Sequence, residues 1–168
     1  GEIVGSNFLC NLSEVPLAQL DPNDWESQRK AFKASTLAVA SLLNYKFEDE
    51  DQQKSREYDP IVGVGFTGLF DFFVLTFGVE WLYWWQAGRP DNDSRFNSDY
   101  FRNKEKEYLV FWKEVVEQEL EKYCREHNLK VPNRSTCVKP AGTMSNLTNS
   151  SPVSIQLVSL ARRDNLKL

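Results

Sequence analysis

One histidine, His127, and one methionine, Met144, occur in 168 residues, and the three cysteines, Cys10, Cys124 and Cys137, form no regular framework. That scarcity excludes a disulfide-built scaffold, and an odd cysteine count is expected of reduced thiols in a cytoplasm. Positive charge is not in excess. Lys and Arg number 20 against 24 Asp and Glu, a formal charge of −4, so direct nucleic-acid binding and an anionic membrane surface are not expected. No apolar run reaches the ~18 residues needed to span a bilayer, and no signal-peptide pattern opens the chain. Five Asn-x-Ser/Thr sequons, Asn11-Leu12-Ser13 among them, would matter only in a secreted protein, for which nothing else argues. The single methionine is internal and the chain opens at Gly1-Glu2-Ile3, the pattern expected of a segment of a longer protein or of a processed product.

What is present is a globular composition, 41% hydrophobic and 26% charged, long enough to bury roughly two-thirds of its unfolded surface. The order of elements is legible from period and punctuation. Gly5-Ser6-Asn7 is a turn signal before a short strand over Phe8–Leu12. Asp21-Pro22 marks a helix start, and Ala31, Ala34, Leu37, Ala38 and Leu42 recur at helical steps from Trp25 to Leu43. Phe47–Asp59 is charged and aperiodic, a surface connection or frayed helix end. Ile61–Phe66 is apolar without alternation, as in a strand covered on both faces. A buried helix follows over Phe70–Phe77, closed by Gly78, and Gly88–Ser94 reads as a loop. Tyr108, Trp112, Val115, Val116, Leu120 and Tyr123 share one face of a long helix over Glu105–His127. Arg134–Lys139 reads as a strand, turning at Pro140 into a last helix. Strand and helix thus alternate, which points to an α/β protein with a parallel sheet and ligands at the carboxyl ends of its strands.

Four patterns could carry chemistry. Gly63-x-Gly65-x-x-Gly68 fits a dinucleotide fingerprint formally, but the required second strand and its acid are lacking, and glycines that let a helix pack close to a strand explain it. Cys124-x-x-His127 lacks the further ligands that zinc needs, so no metal site is expected and an ordinary surface Cys and His are. The tryptophans of Trp81-Leu82-Tyr83-Trp84-Trp85 read as core packing before they read as a base-stacking platform. Ala141-Gly142-Thr143-Met144-Ser145 presents backbone amides and two hydroxyls at a helix start, an anion site suited to phosphate. A simple helix cap accounts for the same residues. Glu2 and Cys10 lie eight residues apart around the Gly5-Ser6-Asn7 turn, which could bring a carboxylate and a thiol to one cavity.

Three runs together resemble the large chain of ribonucleotide reductases, most closely the adenosylcobalamin-dependent class II enzymes. They are Gly1-Glu2-Ile3 with Phe8-Leu9-Cys10-Asn11-Leu12-Ser13-Glu14-Val15, the stretch Asp59–Phe73, and Asn133–Ser145, in the family's order. The resemblance runs from Gly1 to about Pro152. It divides the chain into a partial catalytic barrel, residues 1–152, and a divergent tail, residues 153–168, in which Val153–Val158 could form a strand.

The resemblance implies a fragment of a ten-stranded α/β barrel that converts ribonucleotides to deoxyribonucleotides for DNA synthesis. It implies adenosylcobalamin as cofactor, thioredoxin or a similar reductant as partner, and a missing N-terminal half of the barrel. Glu2 matches the general base that takes the 3′-hydroxyl proton, and Cys10 matches one cysteine of the redox pair. Ala141, Gly142, Thr143, Met144 and Ser145 match the turn that holds the substrate phosphates. A carboxylate suits a hydroxyl proton, and paired thiols deliver two electrons by closing a disulfide. The radical cysteine would stand just before Gly1, and the second redox cysteine belongs to an earlier strand. Cys124 and Cys137 are expected to be structural. A class I large chain and a non-catalytic phosphate-binding remnant are the alternatives.

Overall fold

The computed structural model describes residues 7–151, so Glu2 and the whole tail 153–168 lie outside the described residues. The fold is mixed α/β. Strands β1 (Cys10–Pro16) and β2 (Ile61–Thr67) pair in a two-stranded sheet. The helices are α1 (Trp25–Ser41), α2 (Glu50–Tyr58), α3 (Leu69–Phe77), α4 (Val79–Gln86), α5 (Ser98–Glu126) and α6 (Gly142–Thr148). No helix among the described residues is long and apolar enough to cross a membrane. The residues fall into two units by their internal contacts. The first gathers 7–15, 26–66 and 112–139, and the second gathers 16–25, 67–111 and 140–151.

The helix α1 begins at Trp25, four residues beyond Asp21. Asp21 instead closes a tight turn, accepting from the Asn23 amide at 2.8 Å. The expected apolar stripe is also displaced. Phe32, Thr36, Val39 and Ala40 are buried with Gln28, while Ala34, Ala38 and Leu42 are exposed. The reason is Trp112 of α5: its ring stacks on Phe32 at 5.3 Å, and its Nε1 donates to Gln28 Oε1 at 2.9 Å. A large aromatic anchor with a polar handle sets the helix rotation, and the small alanines yield to it. The charged stretch before β2 is the helix α2, begun by Asp49, whose carboxylate accepts from the amides of Asp51 and Gln52.

The expected strand over Arg134–Lys139 shrinks to one parallel bridge, Val64 to Thr136. Val64 donates to Ser135 O at 2.9 Å and Cys137 donates to Val64 O at 3.1 Å. Pro132 and Pro140 flank this segment and have no amide to extend the ladder. The sheet of the described residues is therefore two strands and a bridge, and no ten-stranded barrel is seen among them.

The second unit is built on aromatic rings. Trp81 and Trp84 of α4 are fully buried, as the core reading of that cluster expects. Phe70, Phe73 and Phe77 of α3 pack on Trp81, and Trp25 stacks on Tyr108 at 4.7 Å. Gly78, at φ 78°, ends α3 and begins α4, a left-handed corner that favours glycine. One carboxylate is buried here. Glu105 accepts from Trp81 Nε1 at 2.6 Å and pairs with the Arg89 guanidinium. Arg102 in turn donates to Arg89 O at 2.7 Å and pairs with Asp91 at 2.6 Å. Pro90 O receives Trp84 Nε1 and Ser98 Oγ, so the loop that the sequence marks at Gly88–Ser94 is pinned to the core.

Burial holds the Glu105 carboxyl above its ordinary range, against the opposing pull of Trp81, Arg89 and Arg102. A carboxyl with a higher pKa folded than unfolded keeps its proton longer in the folded chain. Its contribution therefore declines as pH rises through the window between the two values. Glu105→Gln should flatten the fall in stability as pH rises above the ordinary carboxylate range, measured as urea midpoints at several pH values. An unchanged slope would show that Glu105 does not carry it.

Candidate functional site

The sheet of the first unit presents two unlike faces. Successive residues of a strand point to opposite sides, so Asn11, Ser13 and Val15 share one face of β1, and Cys10, Leu12 and Glu14 share the other. The first face is packed. Asn11 and Val15 are buried, Asn11 Nδ2 donates to Ile61 O at 3.3 Å, and Ser35 of α1 donates to the Ser13 hydroxyl at 2.7 Å. The second face is more open, with Leu12 39% exposed and Cys10 half-buried. Cys10 thus stands at the head of β1 on the face turned away from α1, about 13 Å along the strand from Glu14.

Glu14 is the charged feature of that face. Its Oε1 pairs with Lys139 Nζ at 3.2 Å, the two side chains only 9% and 17% exposed. Its other oxygen, Oε2, is buried without a hydrogen-bond partner. Gly65 of β2 makes the arrangement possible. A Cβ at Gly65 would come 2.7 Å from Cys137 O, 3.4 Å from Lys139 Cε and 3.7 Å from Ser13 O. The absent side chain is what lets the Cys137–Lys139 backbone lie against the strand and carries Lys139 to Glu14. Neither Glu14 nor Lys139 stood out in the sequence. The signal was there in the four-residue step from Cys10 to Glu14, which strand alternation turns into a shared face.

The glycines of Gly63-x-Gly65-x-x-Gly68 serve packing. Gly65 admits the Cys137 backbone, and Gly68, at φ 73°, would bring a Cβ to 3.0 Å from Ala18 Cβ. The start of α3 is filled by the chain itself: Gly68 N donates to Ser151 O, and Asp71 accepts from Ser151 N at 2.7 Å and Ser151 Oγ at 2.9 Å. That leaves an acid and a bound serine where a pyrophosphate would need open amides.

The expected phosphate turn belongs to the second unit, and the structure reduces its chemistry. Ala141 is buried at φ 58° and Gly142 opens α6, which has seven residues. The two hydroxyls differ. Thr143 is exposed, but Ser145 is buried and its Oγ donates to Gly142 O at 3.1 Å, so it closes the turn and does not face outward. No side chain caps α6, so the helix-cap reading does not account for Ser145 either, and of the two hydroxyls Thr143 alone is exposed.

Glu2 lies outside the described residues, so its placement beside Cys10 is not among the observed contacts. The expectation of a surface Cys124 is corrected: the thiol is fully buried in α5, and desolvation pushes it up, which keeps it protonated and inert. His127 is exposed and stacked on Tyr123 at 4.0 Å. Among the described residues no three His, Cys, Asp or Glu side chains gather where they could hold a metal ion.

Comparison with protein-family models, with curated proteins and with solved structures gives no match to this chain.

Gly65→Ala should cost about 2 kcal/mol, because the Cβ meets a backbone carbonyl that cannot rotate aside. Urea unfolding measures it. Stability within about 0.5 kcal/mol of the parent would mean that the Cys137 backbone does not lie against β2 as described.

Proposed function

We propose that the chain is part of a ribonucleotide reductase of the adenosylcobalamin-dependent kind. It contributes one redox thiol and part of the substrate-binding wall, and is completed by a further part of the barrel. The resemblance of three ordered runs to that family motivates the reading. The observation that best supports it is the setting of Cys10, a half-buried thiol at the head of a strand, on the face that is not packed against α1. A thiol that must meet both a substrate and a reductant needs such a place, and a buried one such as Cys124 does not serve.

In this reading Cys10 works with a second cysteine outside the chain. The two thiols give up two electrons and two protons and close a disulfide, while the substrate loses its 2′-hydroxyl as water and gains hydrogen at that carbon. Thioredoxin or a like dithiol reopens the disulfide by exchange. Glu2 accepts the 3′-hydroxyl proton. The amides of Gly142, Thr143 and Met144, with the Thr143 hydroxyl, receive substrate phosphate, and Ala141 and Ser145 shape the turn. When bound, adenosylcobalamin would supply the radical that starts the reaction. None of the described residues is assigned to it.

Cys10→Ser in the completed protein should remove multiple turnover with a dithiol reductant while leaving nucleotide binding within about two-fold, since serine keeps the shape but cannot form the disulfide. The assay is deoxynucleotide formed per protein with excess reductant. Turnover at the parent rate would overturn the redox role, and nucleotide binding with no turnover in the unsubstituted completed protein would favour the phosphate-binding remnant.

A further inference from the structure

In the second unit the helices α3 and α4 bury one set of rings and leave other apolar side chains in solvent. Phe70, Phe72, Phe73, Trp81 and Trp84 are buried, yet Leu75 is 64% exposed, Val79 57% and Tyr83 58%. Asp71 and Leu75 lie four residues apart on α3, and Val79 and Tyr83 four apart on α4, so each pair shares a face of its helix. The Gly78 corner joins the two helices. From Leu69 to Gln86 the chain has two acids, Asp71 and Glu80, and no Lys or Arg. Exposed apolar side chains gathered on one pair of helices mark an interaction surface.

The chain's own last described residue is fastened at the start of this surface. Ser151 donates from its amide to Asp71 Oδ2 at 2.7 Å and from its hydroxyl to Asp71 Oδ1 at 2.9 Å, and its carbonyl accepts from Gly68 N at 2.9 Å. These three bonds fix the point from which the tail departs. Leu75 stands about 6 Å along α3 from Asp71, and the path on past Gly78 to Tyr83 totals about 20 Å. Six residues of extended chain cover about that length. The sequence that follows suits the surface. Val153, Ile155 and Leu157 alternate with Ser154 and Gln156, so an extended run would turn three branched apolar side chains to one side. Beyond them Arg162, Arg163 and Lys167 outnumber the single acid Asp164, a charge opposite to that of α3 and α4.

We propose that the tail docks on its own chain, residues 153–160 lying across the outer face of α3 and α4, with Val153, Ile155 and Leu157 covering Leu75, Val79 and Tyr83. A tethered segment meets its target at an effective concentration on the order of millimolar, which a second copy in micromolar solution does not reach. None of the residues assigned to nucleotide reduction takes part, so the inference goes beyond that reading.

Photo-cross-linking of the full chain tests it, with no nucleotide, cofactor or completing part added. Tyr83→p-benzoylphenylalanine places the probe at an exposed position, and the irradiated protein at micromolar concentration is mapped by mass spectrometry. The expected product is a cross-link within one chain, from position 83 to residues 153–160. Ile155→Asp together with Leu157→Asp should lower its yield by about ten-fold or more, since two apolar contacts are lost. These two positions lie outside the packed core, so a circular dichroism melt of the variant should match that of the parent. A cross-linked dimer as the main product would assign the surface to a second copy and overturn the proposal. Absence of any cross-link to 153–160 would overturn it too, as would parent yield in the Ile155 and Leu157 variant, which would mean random collision of a tethered chain.

Discussion

The contact on which the first unit depends is the approach of the Cys137 carbonyl to Gly65. No residue with a side chain fits there, since its Cβ would stand 2.7 Å from that oxygen. The consequences follow in order. The segment after α5 lies against β2, and Val64 bonds to it on both sides, at Ser135 O and Cys137 N. Lys139 then reaches Glu14 on β1, so a single stretch of chain ties both strands. A buried pair of this kind is weak as a source of stability, because desolvation opposes the attraction. It is strong as a constraint, because either charge left alone in that place is costly. The pair therefore fixes where β1 lies, and with it the position of Cys10.

The second unit is governed by a different device. Its aromatic side chains supply apolar area, and the polar handles of the buried Trp81, Trp84 and Tyr108 are answered by Glu105, Pro90 O and Pro22 O. Arg89 joins two of these requirements, pairing with Glu105 while its guanidinium lies 5.0 Å from the Trp84 ring. A loop rich in Gly, Pro and Asp is thereby held by the core that it borders. Polar satisfaction, not apolar area alone, selects one arrangement of so many rings.

Much of the fold could be read from the sequence where period and burial coincide. The face of α5 from Tyr108 to Leu120 is the buried one, and the unalternating run of β2 is a covered strand. The rotation of α1 was not legible, because alanine repeats say little against one Phe32–Trp112 stack formed across eighty positions of sequence. The strand expected at Arg134–Lys139 has the right composition, but pairing depends on a partner and on amides, which Pro132 and Pro140 deny. The site was partly legible. Cys10 lies in β1 as expected, whereas Ser145 looked like a ligand group and is spent on Gly142 O. Glu14 and Lys139 stand 125 residues apart, and only the folded sheet makes them neighbours.

The central claim is chemical: Cys10 is oxidised when a ribonucleotide is reduced. The most direct measurement is a turnover without external reductant. The chain, supplied with the completing part that the proposed reading implies, with adenosylcobalamin and with a ribonucleoside triphosphate, is quenched in acid, alkylated and mapped by mass spectrometry. The account expects one disulfide linking Cys10 to a cysteine of the completing part for each deoxynucleotide formed, with Cys124 still a thiol. Deoxynucleotide formed while Cys10 stays fully alkylated would contradict it.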